Sequence, residues 1–392
     1  MSILTHSPAI VRDGLVLCLD AGAVRSYPIF RGSNLITNGE FTTDTTGWAG
    51  YGGTTVSRVT ASSDPGVPSG GTDDYCLKLD GTFMAYDSIS TTTGKHYFVR
   101  LRGYDASGGN SLKISNTSDG ASLTGVSSVT VSGAEWKTYT SSFIAEGTTT
   151  YIRVGANSGG GGVSYWDKIE VYEAVWADLS GNFNDGVINN IDGLSAESGA
   201  GGTKSFYFDG TNDHIDLGST FETVLEDSFS ICLWVKATDG QPSAKQTVLG
   251  AQEGTVDILE LDIMTDGKFF FYYESNDNFA SAETDDVIFA NGQNDWVHVA
   301  CTASSGTAGV GGMLVYIDGV LATSGDGDTS SVVFGDYNTT RNIYIGAQNY
   351  SSGPTIINDF NGNISIVHMY TRVLTAAEIQ QNYIASKGRF GL

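Results

Sequence analysis

"VWADLSGNFNDGVINN", Val175–Asn190, decides how this chain is read. Its cluster of Gly, Asn, Asp and Ser marks a turn-rich loop, and a strand-like run, "KSFYFDG" (204–210), follows it. The stretch looks like the opening of a β domain. Yet "DGLVLCLDAG" (13–22) also looks like an opening strand, so the chain begins twice. The first beginning breaks off in "SYPIFRG" (26–32), and the second resumes at about residue 174. One interrupted domain accounts for both. Residues 1–30 and 174–392 then form a single domain, and 31–173 are a second domain inserted into one of its loops. An insert is tolerated when its own ends lie side by side.

Composition supports β structure throughout. The 392 residues suffice for two domains. They include 51 Gly, 18 Phe, 19 Tyr and 6 Trp, with only 16% charged residues. Runs such as "KHYFVRLRGYD" (95–105), "SFSICLWVKA" (228–237), "KFFFYYES" (268–275) and "GNISIVHMY" (362–370) alternate or fill with apolar residues between turn signals. Asp318-Gly319 inside "YIDGVLA" predicts a hairpin turn. One helix is predicted, capped by Thr375 with Glu378 three residues on and stopped by Gly388. Ile379, Tyr383 and Ile384 are assigned to its apolar face. The expected fold class is all-β: two β-sandwich (jelly-roll) domains, one inserted in a loop of the other, with one short C-terminal helix.

A formal net charge of −24 repels phosphate backbones and anionic membrane surfaces, which argues against nucleic-acid and membrane partners. No apolar run approaches the roughly 20 residues of a membrane span. Cys18, Cys76, Cys232 and Cys301 each sit in an apolar run without a C-x-x-C spacing, so buried free thiols are expected. "MSILTHSPAIV" lacks a charged segment followed by a long apolar one, so synthesis in the cytoplasm without secretion is expected.

Seven segments follow one another in order: "GLVLCLDAG…SYP" (14–28), "WADLSGNFNDG" (176–186), "FYFDGTNDHIDLG" (206–218), "WVHVACT" (296–302), "VYIDGVLA" (315–322), "IYIGA" (343–347) and the terminal "GNISIVHMYTRVLTAAEIQQNYIASKGRFGL" (362–392). Together they resemble a laminin-G-like, concanavalin A-like lectin domain of the kind found in tailed-bacteriophage virion proteins. In such domains "SYP" runs within a few residues into "W.DLSGN"; here residues 29–175 intervene. The insert's "NLITNGEFTTDTTGW" (34–48) and "YWDKIEV" (165–171) are similar to the opening and closing strands of family 4/9 carbohydrate-binding modules.

The resemblance implies a structural calcium near the joined ends of the insert. Asp167 would be the closing-strand ligand and Glu40 or Thr42 the opening one, although Thr42 stands where an acidic residue is usual. In the outer domain it implies calcium on a rim carrying Asp178, Asn182, Asn184 and Asp213; the same loop also reads as an Asx turn that satisfies its own backbone. Sugar binding needs exposed aromatic platforms, and Tyr51, Tyr97 and Trp166 are the candidates, each readable as a core aromatic too. Trp48 and Trp136 read as core. No catalytic pattern emerges. Glu260 and Asp262 share a strand face, but no third acid follows, and there is no G-x-S-x-G, H-E-x-x-H or P-loop.

The function implied is a non-enzymatic virion structural protein, a capsid decoration or a neck, tail or head-fibre appendage, with weak glycan adhesion. It would be displayed on the virion surface. Its expected partners are other virion proteins, further copies of itself (a homo-oligomer, a trimer among the options) and cell-surface glycans. A bacterial cell-surface lectin or adhesin and a polysaccharide hydrolase or lyase are the alternatives. The "KGRFGL" tail and the first dozen residues are candidate docking segments.

Overall fold

In Phe269–Ser275 the side chains of Phe269, Phe271 and Tyr273 are buried, while Phe270 and Tyr272 stand half-exposed on the opposite side. That period of two is the signature of a strand with one face on a core, and it builds most of this molecule. The structure is a computed structural model and describes residues 9–27, 31–60, 75–124, 126, 128–156, 162–191, 194–196, 204–253, 257–292, 294–305, 312–323, 334, 337, 342–350 and 355–392. The chain divides into two compact units, Met1–Ile29 with Val175–Leu392, and Phe30–Ala174. Among the described residues the regular structure of both is β, apart from the C-terminal helix with its 3₁₀ turn and one helical turn, Glu222–Leu225.

The outer unit is a sandwich of two sheets. One runs, among the described residues, Leu194–Ala196, Lys204–Asp209, Asn361–Tyr370, Phe229–Ala237, Val297–Ala303, Met313–Ile317, Val320–Leu321. The other contains Gly186–Asn189, His214–Asp216, Gln246–Glu253, Asp257–Ile263, Phe269–Ser275 and Asn278–Glu283. Phe229 of the first sheet packs on Phe271 and Tyr273 of the second, at 6.1 and 5.7 Å between ring centroids.

The two beginnings of the chain meet on one strand. Along a single edge of Asn361–Tyr370, Phe206 pairs with Ile364, and then Asp20 pairs with Ile366 and Cys18 with His368. Leu15–Asp20 and Lys204–Asp209 therefore lie end to end. Ser26 and Ala177 bond both ways: the Ala177 N–H donates to Ser26 O at 2.8 Å, and Ser26 Oγ donates to Ala177 O at 2.5 Å. The Tyr27 and Trp176 rings both pack on Phe206, at 4.8 and 4.9 Å. Ser26 and Tyr27 of the split motif thus meet Trp176 and its neighbour in space; residues 28–30, at the exit, lie outside the described residues.

The helix Ala376–Ser386 carries the expected reciprocal cap between Thr375 and Glu378. Its end differs from expectation. A 3₁₀ turn, Lys387–Arg389, continues it through Gly388, and the left-handed glycine is Gly391, at φ +81°. Ile379 is buried in a cluster with Val11, Cys232, Tyr370 and Leu374. Ile384 is 40% exposed: five residues beyond Ile379 it points roughly 140° away around the helix, and Asn382 and Ser386 take the buried positions. The tail is folded onto its own unit, with Phe390 stacked on Trp234 at 3.9 Å. All four cysteines are free and buried.

The inner unit is one continuous ladder, of eight strands among the described residues, bent into two layers. The first half of His96–Ser115 pairs with Gly162–Glu173, which leads to Tyr75–Gly81 and Thr55–Thr60. Its second half pairs with Thr149–Ala156, which leads to Met84–Ser90 and Ala49–Gly50. Register breaks between Gly103 and Asn110 let the strand, with its partner Val129–Ile144, turn from one layer to the other. Leu77, Leu101, Ile114, Ile152, Trp166 and Val171 fill the core between them. The unit's ends lie side by side, with the Leu35 N–H donating to Val171 O at 2.9 Å and the Ile169 N–H to Gly39 O at 3.0 Å.

Candidate functional site

The strand Ala49–Gly50 runs into a loop whose glycines decide its shape. Gly52 and Gly53 have φ of +60° and +86°, and a Cβ on Gly52 would lie 2.4 Å from the Phe83 ring. The missing side chain lets the loop lie against Phe83. The Tyr51 N–H donates to Met84 O at 2.9 Å, which fixes the loop on the neighbouring strand. Tyr51 and Phe83 are each 37% exposed and meet edge to face at 5.8 Å.

These two rings edge a cavity of about 190 Å³, lined further by Met84, Lys113, Asp119, Gly120, Arg153 and Ala156. Ile152 and Val154 enter the core, so the intervening Arg153 must face outward. Lys113 stands directly across from it on the adjacent strand. Arg153 is 6% exposed; its Nη1 donates to the Gly120 carbonyl, and its buried Nε has no acceptor among the described residues. Burial lowers the pKa of Arg153, while Asp119 and Tyr51 work the other way. Burial also lowers that of Lys113, and the Arg153 charge adds to the effect. Tyr86 and Tyr151, in edge-to-face contact at 5.7 Å, extend the aromatic character of the same sheet face. Against the roughly 300–1,000 Å³ of drug-sized pockets, this one has room for a single ring.

Two of the three expected platforms are core residues. Tyr97 is 1% exposed and stacks on Phe143 at 5.2 Å; its hydroxyl accepts from the Thr92 N–H at 2.9 Å. Trp166 is fully buried, and its Nε1 donates to Ser164 Oγ at 2.9 Å. Both side chains belong to the buried cluster between the two layers. Trp136 departs from expectation in the opposite sense: it is half-buried outside the core cluster, with the Arg102 guanidinium 5.3 Å from its ring centroid. Trp48 is core. Tyr51 lines the cavity; its partners there, Phe83, Arg153 and Lys113, were not singled out from sequence.

The calcium ligands implied for the insert do not fit a calcium site. Asp167 is buried; its Oδ1 accepts from the Lys168 N–H at 2.8 Å, and its Oδ2 faces Arg102 Nη1 at 3.9 Å. On the opening side, Arg58 donates to the carbonyls of Phe41 and Thr42, both at 2.7 Å, and Glu40 is exposed. A guanidinium already serves each half of the expected site, where it would repel a second cation.

The rim loop of the outer unit does not fit either. Asp178 accepts four hydrogen bonds, from the Cys18 N–H, the Ser180 N–H, Ser180 Oγ and the Asn184 N–H, at 2.6–3.1 Å. They occupy the roughly four lone-pair directions of a carboxylate. Asn182 and Asn184 donate from Nδ2 to Leu15 O and Val16 O, at 3.3 and 2.9 Å. This loop is a staple holding the strand Leu15–Asp20. Asp213 lies on another turn, where Oδ2 accepts from the Asp209 N–H at 2.9 Å. Among the described residues, no group of three or more His, Cys, Asp or Glu side chains converges on a metal position.

Glu260 and Asp262 share one lysine. Lys245 Nζ donates to Glu260 Oε2 at 2.6 Å and to Asp262 Oδ2 at 2.9 Å. Gln348 donates to Glu260 Oε1, and Thr247 Oγ1 to Asp262 Oδ1 at 2.7 Å. Both acids are buried, and burial pushes Asp262 up to about 7, with the Glu260 charge adding and Lys245 opposing. All four carboxylate oxygens are engaged by protein donors.

Residues 209–380, within the outer unit, match the concanavalin A-like lectin/glucanases superfamily. No curated protein matches the chain. Among solved structures it is similar to domain 4 of AbnA, a GH43 extracellular arabinanase from Geobacillus stearothermophilus, in complex with arabinotriose; identity is 24% over 53% of this chain and 92% of that one, with a TM-score of 0.38. Trypanosoma rangeli sialidase in complex with 2,3-difluoro-KDN is 18% identical over 55% of this chain, with a TM-score of 0.38. The binding domain of botulinum neurotoxin DC in complex with SialylT is 15% identical over 53% of this chain, with a TM-score of 0.39. The chain spans 31% of the sialidase and 48% of the neurotoxin domain.

Proposed function

We propose that this protein is a non-catalytic, glycan-adhering structural protein of a bacteriophage virion, and that the cavity beside Tyr51 takes the sugar ring. One observation carries the adhesive part: two half-exposed rings, Tyr51 and Phe83, edge a ring-sized cavity whose remaining walls bear charged and polar groups. An aromatic face covers the apolar C–H side of a pyranose, while donors and acceptors read its hydroxyls. The ordered motifs of residues 14–28 and 176–392 support the virion setting by their resemblance to such proteins. A non-catalytic reading is supported by Glu260 and Asp262, whose oxygens are all held by neighbouring side chains. A site for one ring binds weakly, and many copies on one particle raise residence on a sugar-coated surface by avidity.

Glycan-array binding of the wild type, with Tyr51→Ala and Phe83→Ala beside it, tests the site. Bound glycans should be lost at least tenfold in both variants, with melting temperatures unchanged. A blank array, or binding indifferent to both substitutions, refutes it. Immunogold labelling of purified phage particles tests the setting, and unlabelled particles would refute that part alone.

A further inference from the structure

We infer that the cavity beside Tyr51 selects an acidic sugar, a pyranose whose carboxylate is held between Arg153 and Lys113. This rests on the glycan reading above and narrows it to one ligand class.

The chain has 44 acidic and 20 basic residues, so two cations facing each other in one cavity run against its composition. Lys113 and Arg153 are directly opposed across neighbouring strands, an arrangement that is destabilising for like charges. Asp119, exposed at the rim, is the one acidic side chain lining the cavity among the described residues. Among the described residues, Lys113 makes no ion pair, and the buried Nε of Arg153 has no acceptor. Both cations are depressed by burial, and Lys113 further by Arg153, so an anion placed between them would relieve both.

The hydroxyls of a neutral sugar are served equally well by uncharged or acidic side chains. A carboxylate is an anion that a guanidinium fork and an ammonium hold well. The Tyr51–Phe83 edge supplies the apolar contact that separates a sugar acid from a bare anion. The overall negative charge does not cancel this local pair, because exposed charges are screened beyond about 8 Å at physiological ionic strength.

The test presents the full-length protein with a panel of uronate- and sialate-bearing glycans, their carboxyl-reduced or desialylated counterparts, and inorganic phosphate. Acidic glycans should bind at least tenfold more tightly than their neutral counterparts. That preference should weaken with salt and vanish in Lys113→Met, whose melting temperature should equal or exceed the wild-type value because a like-charge pair is removed; Arg153→Met gives a second reading if it folds. Equal binding of acidic and neutral partners overturns this inference and leaves the glycan site standing. A blank panel overturns both. Phosphate bound as tightly as the acidic glycans, and unaffected by Tyr51→Ala, overturns the sugar in favour of a simple anion site.

Discussion

Arg389 clasps Asp20 through two hydrogen bonds of 2.8 Å, joining residues 369 positions apart. The last residues of the chain are thereby pinned to its first strand. Gly22 makes the approach possible, since a Cβ there would lie 2.1 Å from an Arg389 nitrogen. Next to the clasp, Phe390 lies on Trp234 with an interplanar angle of 14°, and 4.9 Å from Trp296. Arg389→Ala should cost about 1 kcal/mol, because the pair is bidentate but partly solvated. Phe390→Ala should cost about 2 kcal/mol, below the value for a fully buried ring. Urea denaturation measures both, and tryptophan emission should shift to the red in Phe390→Ala. Unaltered emission would mean that the tail is not docked.

Asp178 should prove structural and independent of metal. Asp178→Ala strands the buried Cys18 N–H and undoes a staple of four charge-assisted bonds, so a loss of about 3 kcal/mol or more is expected. Asp178→Asn, which keeps one acceptor oxygen, should lose less. Thermal melts in EDTA and in millimolar calcium should superimpose, for the outer and the inner unit alike. A calcium-induced rise of several degrees would contradict the assignment of Arg58, Arg102 and Asp178 as self-sufficient partners.

The pH dependence should have two opposed limbs. Burial lowers His298 to about 3 and His368 and His96 to about 4, so the stability they contribute is present above the ordinary imidazole value and fades as pH falls toward 4. Asp262 acts in the opposite sense. Its folded value, about 7, lies above that of the unfolded chain, so its contribution is complete below about pH 4 and is lost as pH rises through 7. The stability of Asp262→Asn relative to wild type should therefore climb between pH 4 and 7 and level off beyond. Denaturation at pH 5 and pH 8 checks this, and a pH-independent difference would show that Asp262 titrates normally.

Aromatic residues of the inner unit should separate cleanly into two classes. Trp166→Ala empties the centre of the core and should cost about 3–5 kcal/mol. Tyr51→Ala should leave stability within about 0.5 kcal/mol, because the residue is a surface edge. Gly52→Ala should lose both binding and about 1 kcal/mol of stability, since its methyl group displaces the Phe83 ring and φ +60° is strained for alanine. Calorimetric melts paired with glycan binding distinguish the classes; a Trp166→Ala protein that melts like wild type would contradict the core assignment.

The fold was legible where local chemistry decides geometry. Asp318 and Gly319 do adopt the positive φ of a tight hairpin turn, at +51° and +81°, and Thr375 and Glu378 form their reciprocal cap. The site was less legible. Exposure of an aromatic depends on which face its strand turns to the core, and register breaks shift that face without a local signal. Lys168, at φ +49°, marks such a break just after Trp166 and Asp167. The alternation in "TTYIRVGA" does place Arg153 outward, but only the folded ladder sets Lys113 opposite it. The arginines that serve the expected calcium positions come from distant strands, beyond the reach of spacing.

The strand on which both beginnings meet, Asn361–Tyr370, is synthesised long after Leu15–Asp20. At about 5–20 residues per second, translation takes on the order of ten to forty seconds to travel from Ala174 to Tyr370. Leu15–Asp20, with Leu17 and Leu19 destined for full burial, waits for its partner through that time and through the synthesis of the insert before it. The inner unit is complete before the later strands of the outer unit emerge. Its adjacent ends, Leu35 against Val171, turn a long interruption into a short bridge. Loop closure across a short bridge rather than about 150 disordered residues is easier by about 2 kcal/mol. The inserted sandwich is thus an assembly aid for the domain it divides: by folding first, it brings the two separated halves within reach of each other.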